Sequence, residues 1–140
     1  MLSDVGAGRL RVGIDIVQIS QIRASLDQFG DRFARRLFTA DEISYAASSP
    51  ALEAERFAAR FAAKEAAIKA FGLSEAGLDW RDLEVIRRDD GSCRLALHRG
   101  LAEKVGAAAS QSVSLSSSHD GDYATAIVIA LVSPSHTCQP

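Results

Sequence analysis

The stretch RFAAKEAAIKAFG, from Arg60 to Gly72, decides how this chain folds and raises the question of what it does. It is rich in alanine and aromatic residues, yet Lys64, Glu65 and Lys69 sit inside it. At about 100° per residue, Phe57, Phe61, Ile68 and Phe71 fall within one narrow stripe of a helix, with Lys64 near its centre. Ala59, Ala63, Ala66 and Ala70 cover much of the opposite side, and Glu65 and Lys69 lie one turn apart on a flank. Two readings follow. If the alanine side faces water, Glu65 and Lys69 form an ordinary surface pair worth about 0.3 kcal/mol. A helix that is apolar on both sides can instead have neighbours on both sides, and its charges then need partners.

Outward from this helix the boundaries are written in local chemistry. Ser49 and Pro50 at the entry and Gly72 at the exit predict one long helix. Upstream, Thr39 is an N-cap candidate for a helix whose first turn holds Asp41 and Glu42. The segment from Ser20 to Thr39 has helical spacing interrupted at Gly30, and Arg11–Ile19 begins as a β-branched strand. Downstream, LEVIRRDDGSCRLAL predicts a hairpin turning at Asp90-Gly91, HRGLAEKVGAAAS a short helix, and SVSLSSSHDGDYATAIVIALV a second hairpin turning around HDGD. The expected class is α+β, with one long central helix packed against antiparallel strands. One domain spans residues 1–140, with its core at about 11–132 and flexible ends at 1–10 and 133–140.

The bulk composition narrows the function classes. A net charge of −2 argues against non-specific nucleic-acid binding, while leaving room for local basic patches. No apolar run is long enough to span a membrane, and the N-terminal residues lack a secretion-signal pattern. Cys93 and Cys138 form neither a metal-ligand spacing nor a convincing bridge, which points to a reducing, cytoplasmic setting. Walker-type phosphate loops, dinucleotide fingerprints and a persuasive Ser/His/Asp order are all absent from the sequence.

Some residues remain that can carry chemistry. A carboxylate and an ammonium on one helix flank, Glu65 and Lys69, suit a metal–phosphate group, the carboxylate holding Mg²⁺ and the lysine neutralising phosphoryl oxygen. Asp15 is the natural second ligand, being the one charge in the apolar run GIDIV and alternating with Ile14 and Ile16; its other reading is as a cap for the following helix. His119, in SSSHDGDY, is either a solvated turn residue or a phosphate donor assisted by Ser118, and Asp120 and Asp122 read as turn formers.

Four segments, in order, resemble the holo-acyl-carrier-protein synthases, the short type of 4′-phosphopantetheinyl transferase: VGIDIV, FARRLFTADE, RFAAKEAAIKAFG and VSLSSSHDGDYATAIV. With the strand-like DLEV at Asp82–Val85 they cover most of the chain from Val12 to Val132. The resemblance implies transfer of the phosphopantetheine arm of coenzyme A to a serine of an apo acyl carrier protein, releasing adenosine 3′,5′-bisphosphate. By position it makes Asp15 and Glu65 the metal ligands and Lys69 the lysine beside the pyrophosphate. It places Arg60, Lys64 and His119 at coenzyme A phosphates. Glu65 is expected to accept the carrier serine's proton, directly or through a water on the metal, and oxygen ligands accept Mg²⁺ or Mn²⁺ alike. It further implies a homotrimer with sites between subunits, and a basic face on the first helix for the carrier's acidic helix. Where many members have an arginine six residues after the metal-binding aspartate, this chain has Gln21; Arg23 lies about 200° round the helix, leaving Arg32, Arg35 and Arg36 for docking. Two other functions share these residues: a Mg²⁺-dependent coenzyme A pyrophosphate hydrolase, and a non-catalytic module that binds carrier proteins.

Overall fold

The computed structural model of the chain describes residues 8–106 and 112–132. The expectations for the outer ends, including Cys138, and for the tail of the short helix beyond residue 106 lie outside them. β1 (Arg9–Gln18) opens the chain two residues earlier than the sequence suggested and passes directly into α1 (Ile19–Phe29). Gly30, at φ 56°, separates α1 from α2 (Asp31–Leu37), as its position predicts. α3 (Ala40–Ala47) starts with the expected capping box: the Thr39 side chain accepts from Glu42 N, and Glu42 accepts from Thr39 N at 2.8 Å. Pro50–Leu52 forms a single 3₁₀ turn rather than the first turn of the long helix, so α4 runs over Glu53–Phe71 and ends at Gly72 in the left-handed conformation. The chain continues through β2 (Leu83–Arg87), β3 (Cys93–Leu97), α5 (Leu101–Val105), β4 (Val113–Asp120) and β5 (Tyr123–Val132).

Both hairpins form where expected, and they build two antiparallel ladders, β1-β5-β4 and β2-β3. α4 crosses the inner face of the three-stranded sheet. The alanine side of α4 therefore does not face water: Ala63, Ala66 and Ala70 are at most 1 % exposed. They meet an inner row of small residues on β5, Ala124, Ala126, Val128 and Ala130, all equally buried. Small side chains on both surfaces let helix and sheet approach closely, and Gly13 marks the tightest point. A Cβ there would collide with the Ala66 carbonyl oxygen and the Ala70 amide. This is the physical origin of the alanine-rich helix.

On the other side of α4, Phe38 and Phe57 pack at 4.7 Å between ring centroids, and Phe61 stacks on Trp80 at 5.5 Å. Lys64 sits among them with no solvent exposure. Its Nζ donates to Glu42 Oε1 and the Leu37 carbonyl, both at 2.7 Å, and to the Trp80 carbonyl at 3.2 Å. Burial pulls its pKa below the usual lysine range, with Glu42 acting the other way. All three protons are given to internal acceptors, so the expected phosphate contact of Lys64 is corrected to a structural tie joining α3, α4 and the Trp80 turn.

Candidate active site

β1 and α4 run in opposite directions across their contact, which brings the middle of one against the last two turns of the other. Asp15, on the same side of β1 as Gly13, consequently meets Lys69. The Lys69 ammonium donates to Asp15 Oδ1 at 3.1 Å and to the Ile14 carbonyl at 2.9 Å. Thr125 Oγ1 donates to the Asp15 carbonyl at 2.8 Å, fixing the strand from the β5 side. Lys69 thus pairs with Asp15 across elements, rather than with Glu65 along the helix as the surface reading has it.

A cleft of about 450 Å³ opens over this pair between β1, α1 and α4, lined by Asp15, Gln18, Gln21, Phe61, Glu65 and Lys69 among others. Burial pushes the Glu65 carboxyl above its usual range, and the nearby Glu75 and Asp15 carboxylates add to this while Lys69 opposes it. Two carboxylates and one ammonium converge on a partly desolvated space with an excess of negative charge. That donor set fits a small divalent cation: both protein groups are hard oxygen ligands, and octahedral Mg²⁺ keeps its other positions for water and phosphate oxygen. Among the described residues, no group of three or more His, Cys, Asp or Glu side chains is arranged to hold a metal.

The competing role of Asp15 as a helix cap falls to another residue. Asp122, from the β4–β5 turn, accepts from Ser20 N at 2.9 Å and Ser20 Oγ at 2.6 Å, while its carbonyl takes the Ile19 amide at 2.7 Å. The sequence shows Asp122 as a turn former only, because its partner is a hundred residues away.

The remaining candidates lie elsewhere on the chain. Arg60 is five residues before Glu65, about 140° round the helix, and lines a separate depression with Tyr45, Glu84 and Arg87. His119 Nε2 lies 3.3 Å from Glu55 Oε1. Glu55 is ten residues, about 15 Å of helix, from Glu65. Ser118 pairs with Thr125 while His119 pairs with Ala124. Strand alternation puts them on opposite sheet faces, so Ser118 does not assist His119 within one chain. Arg32, Arg35 and Arg36 of α2 line a third, wider depression with Trp80 and Arg81. Glu75, which shapes the charge on Glu65, drew no attention in the sequence because it sits in an irregular loop.

The pattern that defines the 4'-phosphopantetheinyl transferase superfamily matches residues 11–128. The chain belongs to that superfamily. Among similar family members is the holo-[acyl-carrier-protein] synthase of Koribacter versatilis, 45 % identical over 121 residues that span 86 % of this chain and 96 % of that one. The synthase of the same name from Chlamydia trachomatis serovar L2 is 42 % identical over 120 residues, covering 85 % and 97 % of the two chains. Of solved transferase structures, the Chronobacterium ammoniagenes ACPS-CoA complex superposes with a TM-score of 0.78 at 30 % identity, covering 89 % of this chain and 98 % of its own. The Helicobacter pylori holo-[acyl-carrier-protein] synthase in complex with coenzyme A gives 0.75 at 27 % identity, with 85 % and 98 % covered.

Proposed function

We propose that this protein transfers the 4′-phosphopantetheine group of coenzyme A to a serine of an apo acyl carrier protein, giving holo carrier and adenosine 3′,5′-bisphosphate. The observation that carries the reading is the convergence of Asp15, Glu65 and Lys69 in one cleft of a chain that shares its fold with coenzyme A-bound synthases. The serine oxygen attacks the phosphorus that bears pantetheine, and the bond from that phosphorus to the oxygen of the leaving bisphosphate breaks. Negative charge grows on the leaving group, and Lys69 is placed to meet it. Glu65, whose carboxylate lines the cleft, takes the serine proton as the serine oxygen attacks. Asp15 orients Lys69 through their ion pair and lies beside the same phosphates. Mg²⁺, with Mn²⁺ as a substitute, would be held by Asp15 and Glu65 and would neutralise phosphoryl oxygen.

The same reading includes a homotrimer with shared sites. The outer face of the sheet exposes Leu10, Val12, Ile14 and Ile16, each more than 60 % accessible, beside Ile129 and Leu131. A continuous apolar face of this kind supports burial against further copies. Arg60 and His119, on other sides of the chain from Glu65, would then reach the coenzyme A held by a neighbour's carboxylates. The exposed α2 arginines, Arg32, Arg35 and Arg36, offer charge for an acidic carrier helix. No helix among the described residues is long and apolar enough to cross a membrane, and the proposed compartment is the cytoplasm.

Release of adenosine 3′,5′-bisphosphate from coenzyme A, followed with and without apo carrier protein, tests this function. Release only with carrier supports transfer. Release without it makes the protein a hydrolase, and no release with any carrier leaves a binding module.

A further inference from the structure

Arg99, between β3 and α5, has φ 54° and is the one non-glycine residue with a positive φ among the described residues. A side chain in this left-handed region strains the backbone, and glycine is the usual occupant. What the arginine gains is reach. Its Nε donates to Asp82 Oδ1 and its Nη2 to Asp79 Oδ2, both at 2.6 Å. Those carboxylates stand at the two ends of one 3₁₀ turn, with Trp80 and Arg81 between them. Asp79 Oδ1 also accepts the Arg81 amide at 3.0 Å, and the Asp82 carbonyl accepts the His98 amide at 2.8 Å. An exposed guanidinium therefore closes both ends of the turn. Exposed ion pairs add little to stability, so stability alone does not account for an arginine in a strained position.

The turn holds one wall of the carboxylate cleft. Trp80 stacks on Phe61 at 5.5 Å between centroids, with 8° between the ring planes. Phe61 lies one helical turn before Glu65 and lines the same cleft. Trp80 lines the depression that holds Arg32, Arg35 and Arg36. The stacked pair therefore borders both the cleft and the arginine-lined depression, with the Trp80 carbonyl tied to Lys64 at 3.2 Å. A carrier with its serine in the cleft and its acidic helix on α2 crosses this pair. Asp15, Glu65 and Lys69 are carried by β1 and α4, to which Arg99 makes no hydrogen bond among the described residues.

We propose that Arg99 is a positioning residue: by clamping Asp79 and Asp82 it fixes the Trp80–Phe61 stack, and with it the surface across which an apo carrier protein delivers its serine. The proposal rests on the transferase reading for the identity of that partner. Arg99 touches no reacting atom, so its loss acts on use of the carrier rather than on coenzyme A, the cation or the chemical step.

Arg99→Gly tests this, because it removes the clamp and relieves the backbone at once. The relief offsets the lost ion pairs, and the variant melts close to the wild type. With apo carrier and coenzyme A varied separately, KM for the carrier rises about tenfold, the scale of one aromatic contact, while kcat and KM for coenzyme A hold. The emission of Trp80, the only tryptophan in the chain, shifts to the red and is quenched more readily by acrylamide. Arg99→Lys keeps the charge but reaches one carboxylate at a time, and falls between the two. Should Arg99→Gly not fold, Arg99→Asn, also tolerant of the left-handed region, carries the same comparison. Unchanged carrier KM, or unchanged emission, in a folded variant overturns the proposal. So does an earlier melt with a loss shared by kcat and both KM values, which is what general loosening of the fold gives. If the emission follows Arg99 but the wild type modifies no carrier, the transferase reading fails and the clamp on Trp80 stands. If the wild type modifies carriers and Arg99→Gly matches it throughout, the reverse holds.

Discussion

Lys64 and Lys69 are the same residue type five positions apart, and their surroundings predict opposite consequences of mutation. Lys64→Met leaves the Glu42 carboxylate buried without its cation, which costs about 3–5 kcal/mol, read as a fall in urea-unfolding free energy. Lys69→Ala removes a half-exposed side chain and leaves stability nearly unchanged, but cuts kcat by about 10²–10³, the usual loss for one donor to a developing oxyanion. Glu65→Gln, nearly isosteric, abolishes transfer while circular dichroism and melting stay as in the wild type; retained turnover would remove Glu65 as the proton acceptor. At this scale the sequence was informative about residue type and spacing. It marked Asp15, Glu65 and Lys69, and it noted Lys64 within the aromatic stripe. It could not show that Glu42, visible only as a first-turn acid, takes Lys64's charge. That pairing joins residues 22 apart through a core that only the fold creates.

Among the elements, the sheet-to-helix contact is the most demanding. Gly13→Ala forces a methyl group into the backbone of α4 at Ala66 and Ala70, and backbone in a packed helix has little room to give. The expected loss is about 1–3 kcal/mol or more, measured as a lower melting temperature; a wild-type melt would show that the approach is looser than described. The start of α3, the Gly30 break, the Gly72 stop and both hairpins were legible because each depends on residues within a few positions. Features set by distant neighbours were not. The alanine side of α4 allowed both a wet and a packed reading until the inner row of β5 decided it. The true cap of α1, Asp122, comes from the far end of the chain.

For the molecule as a whole, two properties follow from what covers its surfaces. Asp79 accepts bonds from Arg81 and Arg99, which hold its carboxyl well below the ordinary aspartate range. A depressed native pKa contributes stability that is complete above the unfolded value, near 3.8, and is lost as pH falls through the native one. Acid titration of the melting temperature shows a steep fall below about pH 4, and Asp79→Asn makes it shallower. Ile14→Glu on the outer sheet face dissociates the proposed trimer, seen as a smaller species in analytical ultracentrifugation, and transfer falls with it. A monomeric wild type with full activity would refute shared sites. Strand alternation set Ile14 and Ile16 opposite Asp15 in the sequence, but that their face is the outer one follows only from α4 covering the other, and the number of copies comes from the resemblance.

The most direct test is the intact mass of an apo acyl carrier protein incubated with this protein, coenzyme A and Mg²⁺. Transfer predicts a gain of one phosphopantetheine, abolished by a chelator and absent with Glu65→Gln. An unchanged carrier mass across several carrier types would contradict the account.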